Sequence, residues 1–138
     1  MSTRSLIGRR TEDGYEAVYC HNDGYPEHHA PILTRGFATD EAVTALFELG
    51  DLSVLATQIG RKHSFCDHGS DAESRQWCLA YGRDRGEINV AKRGYRSENA
   101  FLEDASNRCA DYVYLFRDGC WFFRKMNGDH DWLTLGLC

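Results

Sequence analysis

Apolar and polar positions alternate with period two in two places, near the start of the chain and near its end. Residues 4–10 and 15–21 read as a β-hairpin, because Glu12-Asp13-Gly14 supplies the positive φ that a tight turn needs. Tyr15, Ala17 and Tyr19 then fall on one face and Val18 and Cys20 on the other. Asp111–Arg117 and Cys120–Met126 form a second predicted hairpin around Asp118-Gly119. Asn127-Gly128 offers a further turn into a strand over Asp131–Leu135.

Between the hairpins the period lengthens. A short helix is expected from about Pro31 to Arg35, stopping at Gly36. Thr39 or Asp40 caps the next, Val43, Leu46, Phe47 and Leu49 form its apolar stripe, and Gly50 ends it. Asp51 is placed to cap another helix, with Leu52, Leu55, Ala56 and Ile59 at helical spacing and Gly60 as its stop. Residues 61–74 are polar and turn-rich, an exposed loop. Trp77, Leu79 and Tyr81 alternate as a strand, and Gly82–Glu87 follows as a loop. Ser97 caps a helix running to about Ala105. The expected fold is α+β: an antiparallel sheet of about five strands with helices packed on one face, in a single domain spanning residues 1–138.

Composition adds bounds. The chain has 138 residues, 42% hydrophobic and 12% aromatic, enough for one core and too apolar for intrinsic disorder. Its net charge of -5 makes coating of a phosphate backbone, and so direct nucleic-acid binding, unexpected. No apolar run approaches the ~18 residues that span a bilayer, so no membrane association is expected. The N-terminus has no apolar signal-like stretch, which points to the cytoplasm and to reduced thiols for the six cysteines.

Four constellations could carry chemistry. The first is His21, Asp23, Tyr25 and His28, with His29, around the turn Asn22–Pro26. Histidine titrates near neutrality and ligates metals, so this set could form a polar pocket for an anion, a nucleotide or a metal. Turn chemistry explains Asp23-Gly24 equally well. Cys20 and His21 are adjacent in a strand and point to opposite faces, which rules them out as a dyad. The second is His63, Cys66 and His68 with Asp71 nearby. Its donor types suit zinc, but its spacing is not that of paired clusters, and no metal is assigned. The third is Arg83-Asp84-Arg85 between glycines, where two forks could grip a phosphate or carboxylate with Asp84 orienting them. The fourth is the aromatic C-terminal hairpin, with Tyr112, Tyr114, Phe116, Trp121, Phe122 and Phe123, one face of which could serve as a binding or dimer surface. No phosphate-binding loop, nucleophile elbow or HExxH motif occurs.

The segments Ser2–Gly8 and Tyr19–His29 resemble a group of small bacteriophage and prophage proteins in which a strand ends in Tyr-x-His-x-Asp-Gly-Tyr-Pro. Ala80–Glu87 is similar to a second block of that group, and the aromatic hairpin is similar in kind. Where the group often carries an aromatic near position 22, this chain has Asn22. The resemblance implies a phage setting inside a host cell. With it comes an expected role as a non-enzymatic, anti-CRISPR-like inhibitor that binds a host defence protein and needs no cofactor. An alternative is a binder of a phosphate-bearing nucleotide messenger, with Arg83 and Arg85 on the phosphates and His21, Asp23 and Tyr25 on base or sugar; a homodimer would fit it. A third is a metal-dependent hydrolase built on His21, Asp23 and His28.

Overall fold

The computed structural model describes residues 2–128 and 130–136. Both hairpins form as their turns dictate. β1 (Ser5–Arg10) pairs antiparallel with β2 (Tyr15–Cys20), and β6 (Tyr112–Arg117) with β7 (Cys120–Lys125). The two hairpins join through β1 and β6, which run parallel, Ser5 opposite Tyr112. β8 (Leu133–Thr134) extends the β7 side. On the other side, β2 is followed by β3 (Leu52–Val54) and β4 (Leu79–Ala80), while β5 (Arg93–Tyr95) pairs with the first half of β2. Among the described residues the sheet thus has eight strands and is mixed, not an antiparallel sheet of five.

Helices cover both faces rather than one. α1 (Pro26–Gly36) and α2 (Asp40–Glu48) pack Ile32, Leu33, Val43, Leu46 and Phe47 against Ile7, Val18, Cys20, Tyr114 and Trp121. α4 (Glu98–Asn107) packs Phe101 and Ala105 against Leu6, Ala17, Val113 and Leu115 on the opposite face. The alternation in β1, β2 and β6 feeds both cores, so each strand is buried on both sides. Thr39 and Ser97 cap α2 and α4 through the amides of Ala42 and Ala100, as expected of N-caps.

Three local expectations fail. α1 begins at Pro26, five residues early, because a proline suits the first helical position, and Pro31 is accommodated inside it. The helix expected after Asp51 is instead β3 and an irregular run. Asp51 takes no capping role: its Oδ1 accepts the Tyr19 amide at 3.0 Å, and its carboxylate pairs with Arg93 at 2.7 Å. The end of β2 needs partners there, and the amides of His21 and Asn22 find the carbonyls of Leu52 and Ser53. Finally, the stretch read as a loop around Arg83 is a short helix, α3 (Tyr81–Arg85), ended by Gly86 at φ 74°. Cys20, Cys66, Cys78 and Cys109 are free thiols. Cys120 is disulfide-bonded, a departure from fully reduced cysteines. No described helix is long and apolar enough to cross a membrane.

Candidate functional site

Strand periodicity puts Tyr19 and His21 on one face at the end of β2, with the Tyr19 hydroxyl 2.9 Å from His21 Nδ1. His21 lines a crevice of about 340 Å³ with Ser2, Arg4, Cys109 and Asp111. The Arg4 amide donates to Asp111 Oδ2 at 3.0 Å, which ties the start of β1 to the start of β6. The half-buried Arg4 guanidinium has no hydrogen bond or ion pair among the described residues. Burial raises the Tyr19 phenol, and the nearby Arg4 charge opposes that rise. Cys20 faces the other way. It is wholly buried, its thiol donates to the Asn22 carbonyl at 3.5 Å, and burial pushes it up to about 12. It is therefore no nucleophile for His21.

The rest of the segment diverges from that crevice. Asp23 is exposed and holds the left-handed conformation at φ 56°. Gly24 lies beneath, its amide donating to Thr3 O and its carbonyl accepting the buried Tyr114 hydroxyl at 2.6 Å. Tyr25 is 37% exposed and meets His28 edge-on. His28 Nε2 lies 2.9 Å from the Leu55 carbonyl, which only accepts, so this nitrogen carries the proton. His29 is fully buried over Tyr114, with Nε2 3.0 Å from Ser5 Oγ and Nδ1 unpartnered. Burial, with a smaller push from His28, lowers it to about 3.

The arginine block is used up by the fold. Arg83 donates from Nη1 to Ile59 O at 2.7 Å, from Nη2 to Cys78 O at 2.8 Å and from Nε to Asp84 Oδ1 at 3.0 Å. The Asp84 carboxylate also accepts the amides of His63 and Ala80, and its side chain is 0% exposed. Burial alone would raise that carboxyl, but the Arg83 guanidinium and the two amides hold it below the usual carboxylate range. Arg85 lies over the rings of Phe65 and Tyr81 and pairs with Glu87.

β3 bridges the two segments. Asn22 Nδ2 donates to Ser53 O and Oγ, and Ser53 also hydrogen-bonds Tyr81, the residue that begins α3. The His21 crevice holds neither Arg83 nor Arg85, and Arg83 borders a separate cleft of about 780 Å³ with Arg61, Glu48 and Glu87. Arg4 is the residue that sequence reasoning missed. The hairpin brings it there: Ser5 opposes Cys20, and Arg4 and His21, the next residues beyond that pair, line the same crevice.

The aromatic hairpin is mostly core. Tyr114, Phe116 and Trp121 are buried, and Trp121 donates to Phe37 O at 2.7 Å. What remains open is a cleft of about 640 Å³ lined by Pro26, Tyr112, Phe123, Lys125 and Leu133. Leu133, 57% exposed, brings strand β8 to its edge. His21, Asp23 and His28 form no joint metal set, and no group of three metal-capable side chains converges among the described residues. No known family model matches the chain, and neither curated proteins nor solved structures yield a significant match.

Proposed function

We propose that this chain works by binding rather than catalysis, as a phage accessory protein that blocks a host defence component by docking on it. The observation that carries the reading is the cleft beside β8. Of the large hydrophobic side chains left exposed among the described residues, Leu133 lines this aromatic-floored depression, on an edge strand of the sheet. Exposed apolar surface gathered beside a sheet edge is what partner docking uses. Lys125 and Asp131 at its rim supply charge of both signs for orientation. The strongly shifted groups point away from catalysis. Cys20, Cys78, His29 and Tyr114 are all driven toward their neutral forms by burial in the core, and none is an activated nucleophile or base. The phage setting rests on the resemblance of the Tyr19–His29 segment.

Affinity capture from host lysate with the full chain, followed by size-exclusion of the reconstituted pair, tests this. The expected result is a stable complex with a defence component that Leu133→Asp abolishes while leaving the fold intact. Capture unaffected by Leu133→Asp, or no complex at all, overturns it.

A second reading, binding of a small phosphate-bearing ligand, is favoured by the Arg4 guanidinium beside His21, which has no hydrogen-bond or ion-pair partner among the described residues. It moves the anion contact away from Arg83, four of whose five donors are already bonded within the fold. A thermal-shift panel of nucleotides read on wild type and Arg4→Ala separates the two readings. A ligand-dependent rise lost in the variant supports it; no rise with any nucleotide removes it.

A further inference from the structure

Among the described residues the sheet ends on β8, and the pairing there leaves main-chain groups turned outward. Leu135 N donates to Trp121 O at 2.9 Å, so the main chain of Leu135 faces β7. Main-chain direction alternates along a strand, so Leu133, opposite Phe123, faces β7 as well. Thr134 lies between them, opposite Phe122, and therefore turns its N–H and C=O away from the sheet. Neither a charge nor a proline blocks this edge at Leu133-Thr134-Leu135.

The two faces of the edge differ in chemistry. On the α1 side the exposed Leu133 borders its cleft. On the α4 side stand two arginines. Arg117 follows Val113 and Leu115 at strand period, and both of those enter the core under α4. Phe122 and Arg124 pair with Leu115 and Val113, so they share that face. The Arg117 guanidinium lies 4.4 Å from the centre of the Phe122 ring. Arg124 is half-buried, and its Nε is buried with no hydrogen-bond partner. Neither arginine has a hydrogen bond or ion pair among the described residues. Glu98, on α4, meets Trp132 Nε1 at 3.0 Å and neither arginine. A cation held partly out of water without a counter-charge is costly, so this face is complementary to an acid.

We propose that the partner adds an extended segment of alternating acidic and apolar residues to the sheet, as a strand beside β8. Its main chain bonds the N–H and C=O of Thr134. Its apolar residues lie beside Leu133 on the α1 side, and its carboxylates turn to Arg117 and Arg124 on the α4 side. Two strand spacings of about 4.8 Å separate β7 from the added strand, a gap that arginine and glutamate side chains together bridge. The period of two sorts the segment, since each residue type meets one face only. This inference rests on the docking reading above and specifies its partner and mode.

The test is calorimetric titration into the full chain of a synthetic peptide of about eight residues alternating Glu and Val, with a Lys–Val peptide of equal length as control. The Glu–Val peptide is expected to bind, and the Lys–Val peptide to bind at least tenfold more weakly. Thr134→Pro removes the outward donor and spares the ladder to β7, and Arg124→Gln removes the cation. Each should weaken binding at least tenfold, with circular dichroism confirming the fold. Arg117→Gln reports on the same face should Arg124→Gln not fold. No binding of the Glu–Val peptide, equal binding of the Lys–Val peptide, or affinity unchanged in a folded variant overturns the inference. Should that happen while the Leu133-dependent complex still forms from lysate, docking stands and the added strand falls.

Discussion

The segments Cys20–His29 and Tyr81–Glu87 are alike in sequence, polar and punctuated by glycine, yet the fold uses them in opposite ways. In Tyr81–Glu87 the charged side chains themselves hold the structure. The run from Leu55 to His63 and the two-residue strand β4 leave carbonyls at Ile59 and Cys78 and amides at His63 and Ala80 without ladder partners, and Arg83 and Asp84 supply them. In Cys20–His29 the backbone is held by neutral groups: Thr3 O, Tyr114 and Ser53. Its charged Asp23 stays outside. A charge is structural where the neighbouring backbone lacks partners, and is left free where neutral groups already meet that need.

Asp84→Ala attacks the difference most directly. It leaves Arg83 partly buried without its counter-charge and two amides unsatisfied, so a loss of about 3–5 kcal/mol is expected in urea denaturation. A loss under about 1 kcal/mol would place Asp84 among ordinary surface charges.

Acid titration probes the buried part of the other segment. The folded value of His29 lies near 3, below its ordinary 6.5, so the unfolded chain takes up a proton that the folded chain refuses. The stability due to neutral His29 is complete above pH 6.5 and declines toward pH 3. At about 1.4 kcal/mol per pH unit, about 3 kcal/mol is lost between pH 6.5 and 4. A His29→Gln protein should show a slope shallower by one proton. An identical slope would mean that other groups carry the acid response.

Tyr114→Phe removes the hydroxyl that satisfies Gly24 O and should cost about 1–2 kcal/mol. Asp23→Gly is expected to have the smallest effect. It relieves a left-handed residue that carries a side chain, and a gain of up to about 1 kcal/mol in chemical denaturation would fit. A loss of more than that would show that the Asp23 carboxylate holds the turn after all.

The candidate site was only partly legible. His21 could be placed at a strand end from alternation alone, and the exclusion of Cys20 as its partner follows from the same rule. The spent state of Arg83 could not be read, because its acceptors lie 24 and 5 residues away and are free only through irregular backbone. Arg4 carries no local motif; what distinguishes it is a guanidinium with no hydrogen-bond or ion-pair partner among the described residues, which only the assembled fold reveals.

Local chemistry determined the two hairpins, the two-face alternation of their strands, and the caps of α2 and α4. Each depends on residues within a few positions: a positive-φ turn, a hydroxyl three residues from an orphan amide. Tertiary structure alone decided that β1 and β6 run parallel, that helices cover both faces, and that Leu52–Val54 is a strand. The apolar spacing of Leu52, Leu55, Ala56 and Ile59 suits a helix, but the free amides at the end of β2 needed carbonyls to bond. Long-range backbone pairing outweighed a local preference worth only tenths of a kcal/mol per residue, on the order of helix propensities.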